Sequence, residues 1–381
     1  MTALLDGVRV IDLSRVLAAP FAARVFAEMG ADVIKVEFGE GDPARAIGPH
    51  RDGRSLYFST FNSGKRGVWL DLRSRDGLDD LHRLLSTADV VVENFRRPTA
   101  AALGLEPEAL VERYPRLVVT SVTGYAREFD RGDEGVFDVT IQAESGVMSV
   151  TGEPGRAPVR AGIPISDLAA GMWAVGGTMA ALFARERDGA GRHIEVPMLD
   201  STLCLLSYVA TAALETGRDP EPVGSGHHSA APYGAFPTTD GWIVIAALGD
   251  KFWLPLCAAL GLQDLAARDD LRTNRGRSAA RSEIDVAVAA ATSVLSTGKL
   301  LEVLRKSGVP HAPVNKVLDA LRAPYVERRG IVERLEASEG EYFVPTTPLR
   351  EGEVVLRPAP DRGEHNDEVL GDLRRSGHGG K

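Results

Sequence analysis

Residues 7–37 read GVRVIDLSRVLAAPFAARVFAEMGADVIKVE, and this stretch decides the fold class. It contains a short apolar strand pattern at 8–14, a helical pattern at 20–30 that stops at a glycine, and a second strand pattern at 32–37. Two apolar strands joined through a helix form a βαβ unit, and the strands of such a unit lie parallel in one sheet. The stretch therefore predicts an α/β protein with a parallel sheet.

The same alternation continues along the first part of the chain. Strand patterns recur at 67–72, 89–95 and 116–126, and helical patterns lie between them at 76–88 and 106–115. Each further βαβ unit extends the predicted parallel sheet.

The pattern changes after Gly135. A stretch rich in Gly and Pro at 150–164 precedes a long helical pattern from Asp167, a strand pattern at 192–198 and a helical pattern at 200–214. The residues beyond Asp167 therefore predict one more strand with a helix on either side.

A polar segment divides the chain. Residues 216–232 are rich in Gly and Pro and predict a linker, after which two strands around a turn open a smaller α+β unit. We predict a large domain from residues 1–215 and 331–381, and a linker plus small α+β domain from residues 216–330.

Composition narrows the functional classes. Apolar residues make up 44% and charged residues 25%, as in ordinary globular proteins. The net charge of −9, with no run of Lys or Arg, argues against nucleic-acid binding, although an anionic ligand can still bind where basic groups converge. The longest uncharged apolar run, 168–184, is shorter than the roughly 20 residues of a membrane span and predicts a buried helix.

The cysteines and the N-terminal sequence indicate the cellular compartment of the protein. Cys204 and Cys257 lie in apolar helical runs, which predicts two reduced core thiols. The N-terminus has no basic segment of the kind that opens a signal peptide. We expect a cytoplasmic protein that engages neither membrane nor nucleic acid.

Several enzyme classes are excluded by missing motifs. The sequence contains no GxSxG, HExxH or Walker motif and no Cys/His cluster, so no metal is expected. The turn after the first strand, LSRVLAAP (13–20), has no glycine, whereas a dinucleotide site needs glycines there to bring backbone N–H groups to the pyrophosphate. Nicotinamide binding is therefore not expected.

The segment PVRAGIPISDLAAGM (158–172) places Asp167 at the predicted start of a helix. A carboxylate there serves as an N-cap or first-turn residue. The same position keeps a carboxylate ionised, and an ionised carboxylate can attack a thioester carbonyl. The residues alone leave both interpretations open.

Seven separated motifs resemble the CaiB/BaiF, or class III, CoA-transferase family from about residue 5 to 373. In order they are GVRVIDLSRVLAAPFAARVFAEMGADVIKVE (7–37), NSGKRGVWLDL (62–72), DVVVENFR (89–96), FDVTIQAESGVMSVTGE (137–153), PVRAGIPISDLAAGMWA (158–174), APYGAFPTTDGW (231–242) and GEHNDEVL (363–370). The resemblance implies a Rossmann-like large domain built from both ends of the chain, with the small domain inserted. It also implies a homodimer of two interlocked rings, with crossings near 200–230 and 325–350.

The resemblance further implies a reaction and its nucleophile. Asp167 attacks a donor acyl-CoA to give a mixed anhydride, CoA thiolate converts this to an aspartyl-CoA thioester, and an acceptor carboxylic acid reverses the sequence. CoA is then a substrate rather than a tightly bound cofactor. The loop at Gly224, Ser225 and Gly226 is the candidate source of N–H donors for the oxyanions.

CoA contacts carry over from the family by position. The expected thioester contacts are Val16, Leu17 and Ala18; the expected adenine contacts are Leu70 and Arg73; the expected pantetheine and pyrophosphate contacts are Asn94, Phe95 and Arg96. Phe137 and Asp138 occupy the place where the family has an aromatic residue or His followed by an acid.

Three positions depart from the family pattern. Leu17 replaces the Gln of formyl-CoA transferases, and Phe38 and Ala102 stand where an Arg is expected. Adenine-phosphate contacts are therefore rearranged, or supplied by Arg45, Lys65 or Arg66, and oxalate is not expected as a substrate.

Two rival functions are kept open. An α-methylacyl-CoA racemase of the same family pairs a His with an acid, but Phe137 cannot act as a base at the His position. A non-catalytic CoA-binding protein would use Asp167 only as a helix cap. Residues 137, 138 and 167 therefore decide between the functions.

Overall fold

The computed structural model describes residues 2–338, 340–350 and 354–376. Chain contacts divide it into two compact units: the first holds Met1–Val147, Arg160–Glu215 and the chain from Tyr325 onward, and the second holds Met148–Val159 and Thr216–Pro324. The sequence pattern assigned 148–159 to the large domain. In the structure this segment joins the second unit, where the backbone N–H of Gly224 donates to the carbonyl of Gly152 at 2.8 Å.

The first unit is built on a six-stranded sheet whose paired strands are all parallel. The strands up to the end of the sheet are β1 (Arg9–Asp12), β2 (Asp32–Glu37), β3 (His50–Arg51), β4 (Arg54–Ser55), β5 (Arg66–Trp69), β6 (Val90–Glu93), β7 (Val118–Thr123) and β8 (His193–Pro197). The spatial order is β5-β2-β1-β6-β7-β8, while β3 and β4 form a separate short hairpin. The predicted α/β class with a parallel sheet is confirmed.

Helices flank the sheet in chain order. They are α1 (Ala18–Glu28), α2 (Leu56–Asn62), α3 (Arg75–Ser86), α4 (Arg97–Leu103), α5 (Pro107–Arg113), α6 (Asp138–Glu144), α7 (Ile165–Asp188), α8 (Met198–Leu205) and α9 (Ser207–Thr216). Alternate strand residues enter two separate cores: Val10 and Val90 pack with α1 and α7, whereas Ile11 and Val91 pack with α3. Because both faces of the sheet are covered, its strands read as continuous apolar runs.

The second unit has an antiparallel sheet of three strands in the order β11-β10-β9. Its elements are β9 (Tyr233–Pro237), β10 (Trp242–Ala246), α10 (Trp253–Leu260), α11 (Gln263–Ala266), α12 (Asn274–Ala279), α13 (Arg281–Thr292), α14 (Thr297–Ser307), β11 (His311–Pro313) and α15 (Val317–Leu321). Ile243, Ile245, Trp253, Leu256 and Ile284 form the centre of its own core. The chain ends with α16 (Pro324–Arg329), the hairpin of β12 (Val332–Ala337) and β13 (Gly340–Pro345), and α17 (Asn366–Ser376).

Helix α7 differs from its sequence prediction in two respects. It begins at Ile165, two residues before Asp167, and only one face is buried, against α1 and the sheet. Its other face exposes Met172, Trp173 and Phe183, so the prediction of a buried helix is wrong for that face. Judged by its length and apolar composition alone, α7 is long and apolar enough to cross a membrane.

The two cysteines also differ from each other. Cys257 is buried in the core of the second unit, as predicted, but Cys204 is exposed on α8. Both are free thiols. An apolar neighbourhood in the sequence does not tell which face of a helix is covered.

Candidate active site

A cavity of about 760 Å³ opens at the carboxyl ends of the sheet strands in the first unit. The turns that follow β1 and β6 both line it, and strand order reverses between these two neighbours, because β2 and β7 lie on their outer sides. In open parallel sheets, ligands bind in the crevice outside the carboxyl ends of the strands at such a reversal. Sheet topology therefore places the candidate site here.

A second cavity, of about 640 Å³, lies at the opposite edge of the sheet. Its lining includes Gly7, Asp32 and Arg66, which lie at the amino ends of β1, β2 and β5. Arg66 is already paired with Asp32, at 2.7 Å between Nη2 and Oδ2. The amino edge of a parallel sheet is not where its ligands bind, so the first cavity is the candidate active site.

Most of the residues predicted from the sequence meet in the first cavity. Those that line it are Val16, Leu17, Ala18, Asn94, Phe95, Arg96, Phe137, Asp138 and Asp167. Leu70 and Arg73 do not: Leu70 is buried in the core on the α3 side, and Arg73 is exposed. Their assignment to the adenine end of CoA stays a prediction.

The turn after β1 is held by Asn94. The backbone N–H of Arg15 donates to Asn94 Oδ1 at 2.9 Å, and Asn94 Nδ2 donates to the carbonyl of Arg15 at 2.8 Å. Both polar atoms of the Asn94 side chain are thus used within the protein. Asn94 thus shapes the cavity wall with one bond at each amide atom, and its contact with pantetheine stays a prediction.

Asp138 caps the helix that carries Asp167. The cap position of α7 is Pro164, whose side chain cannot accept a hydrogen bond. Asp138 Oδ1 accepts from the backbone N–H groups of Ser166, at 2.8 Å, and Asp167, at 3.4 Å. Asp138 therefore performs the N-cap role by bonding the second and third residues of the helix.

Gln142 fixes Asp138 in turn. Its Nε2 donates to Asp138 Oδ2 at 2.6 Å, and its Oε1 accepts from the backbone N–H of Ala161 at 2.8 Å. Gln142 is fully buried, so this link between α6 and the segment before α7 is rigid.

Asp167 is a first-turn residue of α7, which is one of the two expected structural roles, but it is not the N-cap of that helix. Within residues 2–338, 340–350 and 354–376, the structure gives the carboxylate oxygens of Asp167 no hydrogen bond, and the carboxylate lines the cavity. Burial raises the pKa of Asp167 from its ordinary 3.8 to about 7, and the negative charge of Asp138 contributes to the rise. The expectation that helix N–H groups keep Asp167 ionised fails because Asp138 occupies them. A carboxylate so little stabilised is more basic than an ordinary one.

Tyr57 is a cavity residue that sequence reasoning missed. It lies on α2, and burial raises its pKa to about 12, with further contributions from Asp167, Asp42 and Asp138. The phenol therefore keeps its proton and can donate a hydrogen bond. Nothing in the local pattern LYFSTFN (56–62) marks this tyrosine apart from its aromatic neighbours.

Three arginines bring positive charge to the cavity. They are Arg15, Arg96 and Arg160, and only Arg96 was predicted as a contact. In the described part of the chain, none of the three has a carboxylate partner; Arg15 lies over the ring of Phe38 at 4.5 Å. Guanidinium groups bind phosphate and carboxylate oxygens in bidentate geometry, so a chain of negative net charge offers an anion site here.

The suggested replacements for the missing family arginines are all engaged elsewhere. Arg45 pairs with Glu37 at 2.5 Å, Lys65 pairs with Asp12 at 2.7 Å in the core, and Arg66 pairs with Asp32. Lys65 is fully buried and cannot reach a bound phosphate. The expectation is therefore wrong for Lys65, whereas for Arg45 and Arg66, which do not line the first cavity, it stays a prediction.

The glycine loop of the second unit is also not free. The N–H of Gly224 donates to the carbonyl of Gly152, and that of Gly226 to the carbonyl of Val223, both at 2.8 Å. Backbone donors already bonded at this distance cannot also stabilise an oxyanion. The N–H groups of Gly224 and Gly226 are thus engaged, whereas the N–H of Ser225 has no hydrogen bond among the described residues, so the expectation that this loop supplies oxyanion donors stays a prediction.

Comparison with known proteins identifies the family of the chain. The model of CoA-transferase family III matches residues 5–366. The succinate–glutarate CoA-transferase of Agrobacterium fabrum is 37% identical over 381 residues, which cover 97% of this chain and 95% of that protein. The succinyl-CoA:glutarate CoA-transferase of Homo sapiens is 33% identical over 377 residues, covering 97% of this chain and 86% of that one.

A solved structure shares the fold. The crystal structure of a CaiB/BaiF family protein from Brucella suis superposes with a TM-score of 0.87 and 32% identity, covering 98% of this chain and 100% of that one. The chain belongs to CoA-transferase family III, and it is a CoA-transferase. The resemblance drawn from the seven sequence motifs is confirmed.

Proposed function

We propose that this CoA-transferase works through a covalent intermediate on Asp167. One observation carries the proposal: the Asp167 carboxylate faces the cavity at the strand reversal, while the neighbouring Asp138 takes the helix N–H groups. A carboxylate with a raised pKa and open access to the cavity is suited to attack a thioester carbonyl.

The reaction closes without any net proton transfer. An oxygen of Asp167 adds to the thioester carbonyl carbon, the C–S bond breaks, and CoA thiolate leaves a mixed anhydride. The thiolate then attacks the Asp167 carbonyl carbon, the bond from that carbon to the bridging anhydride oxygen breaks, and the donor departs as a carboxylate that keeps this oxygen. The acceptor carboxylate attacks the aspartyl-CoA thioester, and the released thiolate takes the acceptor acyl group from the new anhydride, which restores the Asp167 carboxylate.

Negative charge develops at carbonyl oxygens in every step. Tyr57 offers a protonated phenol in the same cavity, and α1 begins there at Ala18. A helix start and a fixed O–H donor both favour negative charge. We therefore propose that Tyr57 and the first turn of α1 replace the glycine loop as oxyanion donors.

The acid is proposed to be a short dicarboxylic acid. Relatives of this chain are named for succinate and glutarate, whose methylene stems suit a cavity wall of Val16, Leu17 and Val136. Arg160 lies on the segment that leads to Asp167 and lines the cavity, so we propose that it binds the second carboxylate. Among the described residues, its guanidinium makes one hydrogen bond, 3.3 Å from Nη1 to the carbonyl of Ala161.

This substrate assignment is tested with succinyl-CoA and a series of dicarboxylates from oxalate upward. Replacing Arg160 by Gln should raise the KM of glutarate roughly 10- to 100-fold, the value of a charge-assisted hydrogen bond. Arg160→Lys should restore part of the loss, and a monocarboxylate of equal length should be insensitive to either change. An equal effect on both acids would contradict the role of Arg160.

Racemisation remains the second candidate function, and the site argues against it. Phe137 lines the cavity and is 72% exposed, so no histidine base stands at that position. Asp138 bonds two backbone N–H groups and Gln142, which leaves it poorly placed to shuttle an α-proton.

The intermediate is tested by trapping. The enzyme is incubated with succinyl-CoA and then hydroxylamine, and a hydroxamate on Asp167 is sought by peptide mass spectrometry. Asp188→Asn, at the far end of the same helix, is the matched control and should be trapped as the native enzyme is. Transfer without any hydroxamate, or α-proton exchange in D₂O without transfer, would contradict the proposal.

A homodimer in the cytoplasm is proposed as the working form. Large apolar side chains lie exposed on α7 and α9, among them Trp173 at 54% and Leu214 at 84%, and apolar surface of this kind favours association. The dimer is also what the family resemblance implies. Sedimentation velocity should give twice the chain mass, and Trp173→Arg should shift the particle toward the monomer. The free thiols Cys204 and Cys257 suit a reducing compartment.

A further inference from the structure

Val16 has an unusual backbone conformation at the centre of the site. Its φ is +71°, in the left-handed region, although valine is β-branched and lines the cavity. Such a conformation persists only where the surroundings hold it, and strained residues of this kind concentrate at functional sites. The contacts of the turn from Arg15 to Ala18 show what holds it.

One side of the turn is bonded by Asp42. Asp42 Oδ1 accepts from the backbone N–H of Val16 at 3.1 Å, and the same oxygen accepts from the N–H of Ala44 at 2.9 Å. The other side is the pair of bonds between Asn94 and Arg15. The turn is thus held between Asp42, in the loop after β2, and Asn94, in the loop after β6.

Asp42 is itself fixed by Lys35. The Lys35 Nζ lies 2.9 Å from Asp42 Oδ2 and donates to the carbonyl of Ser14 at 2.6 Å. The ammonium group of Lys35 therefore holds the backbone shortly before Val16, and it also holds the carboxylate that accepts from the Val16 N–H. Lys35 and Asp42 are buried, at 0% and 3% exposure.

Further ionic contacts continue the network inward. Asp12 lies 3.9 Å from Lys35 Nζ and 2.7 Å from Lys65 Nζ, and Lys65 also donates to Asn62 Oδ1 at 2.9 Å. Burial alone would raise the pKa of Asp42, but Lys35 and two backbone N–H groups lower it below its ordinary value. Burial alone would lower the pKa of Lys35, but Asp12 and Asp42 raise it above its ordinary value, so Lys35 and Asp42 both stay charged near neutral pH. Burial lowers the pKa of Lys65 to about 8.

Stability alone does not account for such a network. Apolar side chains of similar volume often replace a buried ion pair with no loss of stability, or even a gain. What an apolar pair cannot supply is an acceptor aimed at the Val16 N–H. The network thus gives conformational specificity to one turn, and that turn borders the cavity that holds Asp167.

We propose that Asp42 and Lys35 are positioning residues for CoA transfer, which hold Val16 in its left-handed conformation so that the Arg15–Ala18 turn receives the thioester opposite Asp167. The inference rests on the proposed function only in placing the thioester beside Asp167. Neither Asp42 nor Lys35 touches the reacting atoms, and both act through the backbone of Val16.

Two charge-free pairs test the proposal without leaving a buried charge unpaired. Lys35→Met with Asp42→Asn keeps an acceptor for the Val16 N–H, whereas Lys35→Met with Asp42→Leu keeps volume and removes the acceptor. Both proteins are compared by circular-dichroism melting and by transfer from succinyl-CoA to glutarate. The asparagine pair should keep kcat within a few-fold of the native value, and the leucine pair should lose about 5- to 30-fold, the factor by which the left-handed conformation is disfavoured.

A second background separates positioning from general damage. The same two pairs are made together with Val16→Gly, because glycine adopts positive φ at no steric cost. The difference in kcat between the asparagine and leucine pairs should shrink about tenfold in this background, which is a coupling between contacting sites. A difference of equal size in both backgrounds, or a leucine pair with native kcat, overturns the proposal.

Failure of the intermediate is read separately. Transfer is measured by product formation, and the Asp167 hydroxamate is measured on the same samples. If the coupling appears in transfer but no hydroxamate forms in any sample, the aspartyl intermediate fails and the positioning role stands. If hydroxamate forms in all samples and no coupling appears, the positioning role fails.

Discussion

Two helices begin at the cavity, and their first turns are treated differently. Helix α7 is capped by the carboxylate of Asp138, which bonds the N–H groups of Ser166 and Asp167. Helix α1 follows Leu17, an apolar residue, and no side chain within the described residues caps it. One positive helix end is thus neutralised by the protein, while the other stays open to a ligand.

The difference assigns opposite electrostatic tasks to the two walls. The open end of α1 favours negative charge on a bound thioester oxygen. The occupied end of α7 cannot stabilise the Asp167 carboxylate, whose pKa burial and Asp138 raise to about 7. The start of α1 can thus stabilise the negative charge that develops during the reaction. The start of α7 leaves the Asp167 carboxylate basic before the reaction begins.

Removing the nucleophile gives the largest expected effect. Asp167→Asn keeps the size of the side chain but removes its nucleophilic oxygen, so transfer should fall by roughly 10³-fold or more, in the range seen when covalent residues are removed. Binding of CoA, measured by calorimetry, should change little. Asp188→Asn is the control, and a fully active Asp167→Asn enzyme would exclude the nucleophile role.

Removing the charge of Asp138 tests the cap of α7. In the native enzyme, the acid limb of kcat/KM should fall near pH 7, because Asp167 must be ionised to attack. Asp138→Asn removes one of the two causes that raise the pKa of Asp167, so the limb should move to lower pH by about one unit. The pH profile checks this shift, and an unmoved limb would show that Asp138 does not tune Asp167.

Closing the open end of α1 should weaken substrate binding. Leu17→Asp places a carboxylate at the cap position, where it can accept the N–H of Ala19, since Pro20 has none, and where it repels negative charge. The KM of succinyl-CoA should rise about tenfold. Leu17→Asn, which caps without a charge, is the matched variant and should raise KM less; equal KM values in the two variants would argue against an anion at this helix start.

The smallest expected effect is on stability. The folded-state pKa of Asp167 lies above its ordinary 3.8, so the folded protein holds the proton while the unfolded chain releases it between about pH 4 and 7. The carboxyl therefore costs stability that grows over this window and is fully present above pH 7. Asp167→Asn should therefore raise the free energy of unfolding at pH 8 by on the order of 1–2 kcal/mol, and by clearly less at pH 5. The melting temperature should rise accordingly at each pH. A gain that is equal at both pH values would contradict the raised pKa.

Much of the fold follows from local pattern. The strand predicted at 32–37 is β2 as observed, and the predicted strand at 89–95 brackets β6. Apolar runs of this length between helices have few alternatives, because a sheet covered on both faces needs them. The pattern did not show that only one face of α7 is buried, with Trp173 exposed on the other. Small apolar residues lie on every face of this helix, so its sequence has no polar side that would mark the exposed face.

The candidate site was only partly predictable. Family motifs pointed to Val16, Asn94 and Asp167, but they gave no sign that the Asn94 amide bonds the Arg15 backbone or that Tyr57 reaches the cavity. Lys65 was one of three residues suggested as an adenine-phosphate contact, and it is a buried partner of Asp12. Charge and polarity are read from a sequence, whereas partners depend on distances between elements far apart in the chain.

The sequence by itself determined the parallel sheet, the family and the presence of a carboxylate at the start of α7. Only the tertiary structure decided that Asp138 caps that helix, that the carboxylate of Asp167 has no hydrogen bond among the described residues, and that Asp42 accepts from the N–H of Val16 at its positive φ. The physical reason is the distance along the chain over which each interaction acts. Periodicity and propensity act between neighbours, while the pKa of a carboxylate and the strain of a turn depend on burial and on groups that folding brings within about 3 Å.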